Sequence, residues 1–406
     1  MKDRMFIVPG SFVPNNDTVT LLTYKRLRNL DLDMDVFALK TKIDPSLKEE
    51  LDKDPNFKKF TINYSVDYDW AVPRNYPLRL PLSFFYAKKY INDSLKEFEK
   101  KEYKFLFTSI VPGISHLAGL KIKKKHPEVM WYASFSDPFK GSPYKKADLE
   151  GKNFVYKIMY SVGGFFLYNN KYEEAAVLNA DKLIFICEEQ RDFTLRQYSN
   201  YEELKKKSII MPLTYIPEWQ MYSKLIDCKN VNNIPKQAVH LGRLYGLRKI
   251  NTFLEALKEI KEEDKDLCKK IVFHQYSEIQ PYDVQKIKDY NLEDVFVVHD
   301  KVTYDESIDI MKNADILVLF DTLLPGSEVQ PYLPSKIVEY LMLKKPILGI
   351  CGENSPSYRI LKEYDFDTIG YSKEDVKENI KRLIENKKIE FSIDKLNNNN
   401  QPIMIK

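Results

Sequence analysis

The sequence has few cysteines and no long apolar run, and both absences limit the kind of protein that it can encode. Its 406 residues include four cysteines, and no two of them form a C-x-x-C pair. Scattered cysteines suit a reducing cytoplasm and give no indication of a zinc site. No uncharged apolar run reaches the roughly 18 residues that a membrane-spanning helix needs. The first ten residues lack the apolar stretch of a signal peptide, so we expect a cytoplasmic protein.

Motifs of several common ligand sites are also missing. No G-x-G-x-x-G follows the apolar run at 4–10 and no Walker lysine motif occurs, so neither NAD nor ATP binding is indicated. The five histidines form no recognisable dyad, and we expect His240 and His299, which lie in strand patterns, to be core or edge residues. No aromatic–basic RNA-binding pattern, zinc knuckle or long basic arm is present. We therefore predict no metal, no resident cofactor and no nucleic-acid partner.

The composition is that of a soluble globular protein with an uneven charge distribution. Hydrophobic residues make up 44% of the chain and charged residues 30%, and the formal net charge is +4. Residues 1–210 hold 35 Lys/Arg against 28 Asp/Glu, whereas the remainder holds 28 against 31. A mildly basic first half suits a phosphorylated substrate or an anionic membrane surface, but a solvated surface explains it equally well.

Short apolar runs alternate with amphipathic helical patterns along the chain. The predicted strands of the first half are 4–10, 34–40, 104–110, 129–136, 182–189 and 208–219. Those of the second half are 238–244, 270–276, 295–300, 315–320, 346–351 and 367–371. Apolar strands separated by helices are typical of parallel sheets covered on both faces. We therefore predict an α/β protein with two doubly wound, Rossmann-like domains that face each other across a cleft.

The domain boundaries follow from the composition between these runs. We predict a first domain over 1–215, a polar linker with proline and asparagine over 216–236, and a second domain over 237–390. Residues 391–406 form a predicted tail, in which the Asn397–Asn400 run is expected to fray.

Two loops of the second domain carry candidate ligand-binding residues, because ligands bind beyond the C-terminal ends of strands in such sheets. The first loop, "GRLYGLRK" from Gly242, places Arg243 and Arg248 before a helix, where cations and free N–H groups attract phosphate. In the second, "LPSKIVEYLM", Glu339 lies among apolar residues and can accept hydrogen bonds from the vicinal hydroxyls of a ribose. The alternatives are solvated arginines and a carboxylate paired with Lys336.

These two segments resemble retaining nucleotide-sugar glycosyltransferases of the GT-B type, family four, and are most similar to the branch that makes bacterial surface polysaccharides. The residues that match the family pattern are Arg243, Arg248, Pro334, Lys336, Glu339, Tyr340, Lys345 and Pro346. The resemblance spans most of 175–385 and is faint over 1–130, where it depends on the "VPG" loop at Gly10.

The resemblance implies a donor site and a reaction. The residues implied to bind the donor are Gly10, Gly242, Arg243, Arg248, Pro334, Ser335, Lys336 and Glu339. Catalytic roles are implied for Arg243 and Arg248 at the diphosphate and for Asp137 in a loop of the first domain. The implied reaction is metal-independent transfer, with retention, from a nucleotide-diphosphate sugar to a glycan or polyprenyl-diphosphate-linked acceptor.

One departure from the family pattern leaves the sugar-binding residue and the activity open. Many family members carry a second glutamate eight residues before the one at 339, whereas this chain has Pro331 there. Glu328, Gln330 and Asp321 are the candidate substitutes. A non-catalytic, glycosyltransferase-like subunit that binds a glycan or protein acceptor is therefore the alternative function. A metal-dependent glycosyltransferase is less well supported, because neither 31–35 nor 67–69 places a D-x-D after a strong strand.

Aromatic and basic residues in the first domain predict contact with the inner face of the cell membrane. The segments concerned are 79–98, which contains Phe84 and Lys88, the lysine-rich 119–127, and the apolar 158–168. Such mixtures suit the interface of an anionic membrane. The alternative is that the aromatic residues are core and the lysines are solvated.

Overall fold

The computed structural model describes residues 2–71, 80–109, 113–144, 154, 157–158, 171–226, 231–324, 329–385 and 391–400. The chain forms two compact units. The first unit comprises Met1–Trp219 together with Asn397–Lys406, and the second comprises Gln220–Leu396.

The described residues of the first unit form a seven-stranded parallel sheet in the order β3-β2-β1-β4-β5-β6-β7. The strands are β1 (Arg4–Val8), β2 (Asp33–Lys40), β3 (Phe60–Asp67), β4 (Phe105–Ser109), β5 (Met130–Ser134), β6 (Lys182–Phe185) and β7 (Ser208–Ile210). The helices are α1 (Thr18–Leu27), α2 (Pro45–Lys53), α3 (Tyr68–Ala71), α4 (Leu80–Phe98), α5 (Ile114–Lys125), α6 (Lys171–Asn179), α7 (Glu188–Leu195) and α8 (Tyr201–Lys206).

Every predicted run of the first half overlaps a strand, whereas β3 lies outside all of the predicted runs. It is a mostly exposed edge strand, so its sequence lacks the apolar run of a buried one.

The second unit contains a six-stranded parallel sheet in the order β10-β9-β8-β11-β12-β13. The strands are β8 (Lys236–Leu241), β9 (Ile271–Tyr276), β10 (Phe296–His299), β11 (Ile316–Phe320), β12 (Ile347–Ile350) and β13 (Ile369–Gly370). The helices are α9 (Gln220–Ile226), α10 (Asn251–Glu263), α11 (Lys265–Cys268), α12 (Pro281–Asp289), α13 (Tyr304–Asn313), α14 (Lys336–Met342), α15 (Pro356–Glu363) and α16 (Lys373–Ile384). Five of the six strands fall within the predicted runs, and β8 overlaps its run but begins two residues earlier.

Local sequence signals explain where several helices begin. The Thr303 side chain accepts a hydrogen bond from the backbone N–H of Glu306, whose carboxylate accepts one from the backbone N–H of Thr303. This capping box satisfies two N–H groups that the first turn of α13 leaves without helical partners. Asp17 and Ser372 cap α1 and α16 in the simpler one-sided way.

The segment expected to be a linker, 216–236, is only partly irregular. Its residues 220–226 form α9, which packs against α13 and α14, and Tyr222 and Leu225 of this helix are buried. Polar residues surround Tyr222 and Leu225 in the sequence, so the pattern of a short amphipathic helix was not recognised there. The stretch 227–230 lies outside the described residues.

The expectation that the asparagine run frays is wrong for its described part. Asn398 is completely buried, and its amide nitrogen donates to the backbone oxygen of Lys25 and to the Thr214 hydroxyl, each at 3.0 Å. Its amide oxygen accepts from Arg28 at 3.3 Å. Because both its amide nitrogen and its amide oxygen have partners, Asn398 holds this segment against the rest of the first unit. The composition of the run is nevertheless typical of a loose tail.

None of the helices in the described ranges combines the length and the apolar character needed to cross a membrane. Cys187, Cys268 and Cys351 are buried thiols, and Cys228 lies outside the described residues.

We predict that Asn398→Ala destabilises the first unit by about 1–3 kcal/mol, because it leaves buried donors and acceptors without partners. Thermal and urea unfolding followed by near-UV circular dichroism measures the change. The matched control is Lys395→Ala, which alters an exposed residue just before the run. Equal stability of the two variants would show that the asparagine contributes nothing to the fold.

Candidate functional site

The centre of the second sheet contains a topological switch point. From β8 the chain continues to β9 and β10 on one side, whereas from β11 it continues to β12 and β13 on the other. Because parallel crossovers are right-handed, the connecting helices leave β8 and β11 on opposite faces and open a crevice at the C-terminal ends of these two strands. Ligands of open α/β sheets bind at such crevices. The candidate site therefore lies beyond Leu241 and Phe320.

The loop after β8 is held in a defined conformation by backbone contacts. The Gly242 N–H donates to the Tyr276 carbonyl at 3.2 Å, and the Gly242 carbonyl accepts from the Gln275 amide at 2.7 Å. Gly246 has φ 58°, in the left-handed region where glycine is favoured, and the Arg248 N–H closes a turn on the Tyr245 carbonyl at 3.1 Å. The loop then enters α10 at Asn251.

The two arginines differ in how much of their hydrogen-bonding capacity is used. Arg243 is 61% exposed, and its Nη2 lies 2.9 Å from Oε2 of the exposed Glu278. A surface pair of this kind contributes little stability and exchanges readily for another anion. Arg248 has a buried Nε without a hydrogen-bond partner in the described part of the chain. Both guanidinium groups lie over the Tyr245 ring, 5.3 Å and 5.9 Å from its centroid.

Glu339 lies in the first turn of α14 and retains an unused oxygen. Its side chain is 14% exposed, and Lys336 Nζ lies 3.8 Å from Oε2, close enough for an ion pair but not for a hydrogen bond. Oε1 accepts a long hydrogen bond from the Tyr304 hydroxyl at 3.4 Å. Oε2 is buried and has no hydrogen-bond partner among the described residues. The pairing with Lys336 thus leaves the carboxylate able to accept further hydrogen bonds.

Two tyrosines surround this carboxylate. Burial, and then the charge of Glu339, raise the pKa of Tyr304 and the pKa of Tyr222. Both phenols therefore stay neutral in the physiological pH range. Tyr222 comes from α9, the helix within the expected linker, so no pattern in the sequence indicated its proximity to Glu339.

His240 is a buried residue, as expected from its strand pattern, but only one of its ring nitrogens has a partner. Nδ1 lies 2.8 Å from the Val318 carbonyl and so carries the hydrogen, which leaves Nε2 as an acceptor. Nε2 is buried without a partner in the described residues. Burial, with smaller contributions from the charges of Arg248 and Lys336, lowers the pKa of His240 to about 4. The imidazole is thus neutral and joins β8 to β11 at the switch point.

The expectation that no histidine dyad exists is wrong. Nδ1 of His274 lies 2.9 Å from Nε2 of His299, and the other nitrogen of His274 contacts Gln237 at 2.7 Å. Tyr276 stacks on His299 with ring centroids 4.4 Å apart. These residues lie on neighbouring strands but are far apart in sequence, so spacing along the chain did not reveal them. Burial lowers the pKa of both imidazoles.

Of the three candidate substitutes for the missing glutamate, one lies directly at the switch point. Asp321 follows the last residue of β11, is 1% exposed, and has one carboxylate oxygen without a partner among the described residues. Gln330 is buried with its amide occupied by Asp321 and by the Tyr332 N–H. Pro331 is also buried, and Glu328 lies outside the described residues.

The remaining predicted residues occupy separate positions. Pro334 is buried, Ser335 is exposed, and Lys336 is half-buried at the start of α14. Gly10 and Asp137 belong to the first unit and follow strands there. Gly10 has φ 79°, and its N–H donates to the Tyr90 hydroxyl at 3.2 Å. Asp137 is an exposed residue before the buried Pro138. The roles of all these residues in donor binding stay predictions.

The charged groups around the crevice suit an anionic ligand. Three cations, Arg243, Arg248 and Lys336, belong to the loops and the helix that border it. Within the described ranges, no group of three or more His, Cys, Asp or Glu is arranged to hold a metal. The arrangement combines cationic donors with buried oxygen and nitrogen acceptors, which is the combination that a phosphorylated, hydroxyl-bearing molecule requires.

Comparison with known proteins identifies the fold. The chain is similar to TarM, with a TM-score of 0.58 and 11% identity over 95% of this chain and 92% of that one. It is also similar to a trehalose-6-phosphate structure from E. coli bound with UDP-2-fluoro glucose, with a TM-score of 0.53 and 10% identity over 94% and 90% of the two chains. Sucrose-phosphate synthase from Thermosynechococcus elongatus matches with a TM-score of 0.52 and 12% identity over 95% and 94%.

No protein-family model and no curated protein matches the chain. Identities of 10–12% show a common fold and nothing finer. The two parallel α/β sheets and these neighbours together confirm the predicted fold class, an α/β protein with two Rossmann-like domains as in the GT-B fold.

Proposed function

We propose that the protein is a retaining glycosyltransferase that uses a nucleotide-diphosphate sugar as donor. The observation that carries this proposal is the buried Oε2 of Glu339, which lacks a partner in the described residues. Arg248 and Lys336, one turn before Glu339, both lie within electrostatic reach of His240 at the switch point. The proposed acceptor is a glycan or polyprenyl-diphosphate-linked glycan in bacterial surface polysaccharide synthesis.

The ribose of the donor is assigned to Glu339. A buried carboxylate oxygen without a donor is costly, and such groups concentrate at binding sites where a ligand satisfies them. A ribose offers two vicinal hydroxyls, and a carboxylate accepts both with its two oxygens. Tyr304 contributes a long hydrogen bond to Oε1 and holds the carboxylate without saturating it.

The diphosphate of the donor is assigned to Arg243 and Arg248. The Nε of Arg248 is already removed from water without a partner, so a phosphate oxygen there gains a charge-assisted hydrogen bond at little further cost. Arg243 exchanges its exposed carboxylate partner Glu278 for the phosphate. The fold neighbour bound with UDP-2-fluoro glucose supports a donor of this chemical class.

The proposed reaction needs positive charge at the leaving group more than it needs a side-chain base. The bond between the anomeric carbon and the diphosphate oxygen breaks while the acceptor oxygen bonds to the same face of that carbon. The acceptor proton passes to a phosphate oxygen of the departing nucleoside diphosphate. Arg243 and Arg248 neutralise the charge that grows on this group. His240, with a pKa of about 4, is too weak a base to compete at neutral pH.

The same crevice also fits a non-catalytic, glycosyltransferase-like subunit that binds donor or glycan without turnover. Pro331, where many relatives of the resembled family carry a glutamate, is the observation that favours it. Release of nucleoside diphosphate from bound nucleotide sugar, with or without acceptor, distinguishes the enzyme from such a subunit.

We predict that Arg248→Ala and Arg243→Ala each lower donor turnover more than about tenfold, because a lost charge-assisted contact costs about 1.5–3 kcal/mol. Glu339→Gln should raise the KM for the donor. The assay measures release of nucleoside diphosphate, after a thermal-shift screen has identified the bound nucleotide sugar. Arg382→Ala is the matched control, since this arginine pairs with Asp367 elsewhere in the same unit. Unchanged turnover in both loop variants would refute the phosphate assignment.

We also predict that transfer persists in excess EDTA. Two arginines and a lysine border the crevice and supply the positive charge that a divalent cation brings in metal-dependent enzymes. The assay compares turnover in EDTA with turnover in added Mg²⁺ or Mn²⁺. Complete loss that the cation reverses would favour a metal-dependent mechanism.

Peripheral contact with an anionic membrane, at the inner face of the cell membrane, is proposed for α4. This helix exposes Phe84 and Phe85, followed one turn later by the exposed Lys88 and Lys89. Two aromatic rings beside two cations suit a lipid interface, where each cation contributes about 1 kcal/mol.

The basic part of the proposed membrane surface is smaller than the sequence indicated. Lys123 binds Asp181 and the Val129 carbonyl, and Lys125 pairs with Glu99, so these lysines support the fold locally. Of the apolar segment 158–168, only residue 158 is described.

We predict that the protein sediments with vesicles that contain anionic lipid at low salt and is released as salt screens the charges. Phe85→Ser should weaken this binding, whereas Ile43→Ser should not. The two side chains are equally exposed, at 61%, and belong to the same unit. Protein that stays in the supernatant at low salt would contradict membrane contact.

A further inference from the structure

Asp321 connects the loops that follow three neighbouring strands of the second sheet. Its N–H donates to the Ile350 carbonyl at the end of β12, at 3.0 Å. Its Oδ1 accepts from the Thr322 N–H at 2.6 Å and from the Gln330 amide at 2.7 Å. Burial raises the pKa of Asp321, and the charge of Arg248, from the loop after β8, opposes that rise, so the guanidinium lies within electrostatic reach. The carboxylate therefore has one defined position at the crevice.

Two polar atoms at this position have no hydrogen-bond partner among the described residues. One is Oδ2 of Asp321, and the other is the hydroxyl oxygen of Ser357, which is completely buried in the first turn of α15. The Ser357 hydroxyl and the Ser355 hydroxyl lie near enough to Asp321 to oppose the rise that burial causes in its pKa. An acceptor and a donor side by side, both removed from water, match a ligand hydroxyl, which donates one hydrogen bond and accepts another.

We propose that Asp321 binds the transferred sugar by accepting a hydrogen bond from one of its hydroxyls through Oδ2, and that Ser357 donates to the same hydroxyl. This inference rests on the proposed function, because the sugar arrives as part of the donor whose diphosphate Arg248 holds. The sugar is covalently attached to that diphosphate, so no more than the sugar ring separates its hydroxyls from the phosphate that Arg248 binds. Asp321 lies within electrostatic reach of the same arginine.

The structure favours Asp321 over the other described candidate. Both functional atoms of the Gln330 side chain are engaged, the nitrogen with Asp321 and the oxygen with the Tyr332 N–H. Gln330 therefore acts as a support that orients the Asp321 carboxylate, and the aspartate keeps the free acceptor. A buried carboxylate also discriminates strongly, because a sugar that lacks the hydroxyl leaves it unpaired.

The test is the Asp321→Asn variant, in which the neighbouring hydrogen-bond donors determine the orientation of the new amide. The Thr322 N–H and the Gln330 amide are both donors, so the asparagine must turn its oxygen toward them. Its NH₂ group then replaces Oδ2, which removes the acceptor without changing the volume. Ser357→Ala removes the proposed donor. Asp283→Asn is the matched control, because Asp283 is also a completely buried aspartate of the second unit without a partner for either oxygen in the described residues.

Calorimetry compares each variant's affinity for a nucleoside diphosphate and for the same nucleotide carrying a sugar. The probes are UDP with UDP-glucose, GDP with GDP-mannose, and dTDP with dTDP-glucose, and the pair that binds wild type most tightly is carried forward. Asp321→Asn should weaken the nucleotide sugar about tenfold or more and the nucleoside diphosphate less than about twofold. Ser357→Ala should show the same selectivity with a smaller loss, and Asp283→Asn should match wild type.

Other results overturn the inference in distinguishable ways. Equal losses for the nucleotide with and without sugar would make Asp321 a positioning residue for Arg248. No loss for either would remove it from the site. If wild type binds none of the probes, the proposed function fails as well, whereas wild-type binding with an unaffected Asp321→Asn variant refutes this inference alone.

The stability of the variants separates lost recognition from misfolding. Burial raises the pKa of Asp321 to about 6 and the pKa of Asp283 to about 6, above the ordinary 3.8. A carboxyl group whose pKa is higher in the folded state destabilises the fold as pH rises from about 4 to about 6, and this cost persists at higher pH. Both asparagine variants should therefore melt above wild type at pH 8 and near wild type at pH 4. A lower melting temperature at pH 8 would refute this account of the buried carboxylates.

Discussion

The divergence of the chain at β8 and β11 is the constraint on which the second unit depends. Two parallel strands whose right-handed connections leave on opposite faces cannot close their C-terminal edge with a helix. The hydrogen bond from His240 to the Val318 carbonyl joins the strands immediately below that open edge. The loops after both strands therefore converge on one crevice, and residues that are about 80 to 100 positions apart in sequence become neighbours there.

The crevice concentrates polar atoms that folding has removed from water without pairing. Arg248 Nε, His240 Nε2, Asp321 Oδ2 and Glu339 Oε2 all lack partners among the described residues. Each such atom costs stability that a hydrophobic substitute would recover, so packing in the surrounding sheet must compensate. One of these four atoms is a donor and three are acceptors, so they cannot all satisfy one another. A ligand with phosphate oxygens and hydroxyls satisfies both kinds at once, and this complementarity supports a nucleotide sugar over a plain anion.

The sequence predicted the elements whose hydrophobic pattern is local and missed those determined by distant partners. Strands β8 to β13 are apolar runs, and all were predicted. Strand β3 was not predicted, because an edge strand that faces solvent needs no apolar run. The Asn397–Asn400 run was misjudged because the partners of Asn398 lie more than 180 residues away. The His274–His299 contact depends in the same way on strand register, which a single sequence does not specify. For the candidate site, the sequence predicted Arg248 and Glu339 but left Asp321 as one of three options.

The departure at Pro331 has a physical interpretation in this fold. Position 331 lies within the long connection between β11 and α14, whereas Asp321 directly follows β11 and is bonded to the next strand. A carboxylate at a strand end is held by the sheet, and a group on a rigid element keeps its geometry more accurately than one on a loop. Under the proposed assignment, moving the sugar-binding carboxylate to the strand end frees the loop to carry a proline. The loop still contributes through Gln330, whose amide donates to Asp321 and so orients it. The proposal thereby makes donor recognition a property of the β8–β11 crevice, which the two arginines proposed to bind phosphate also border.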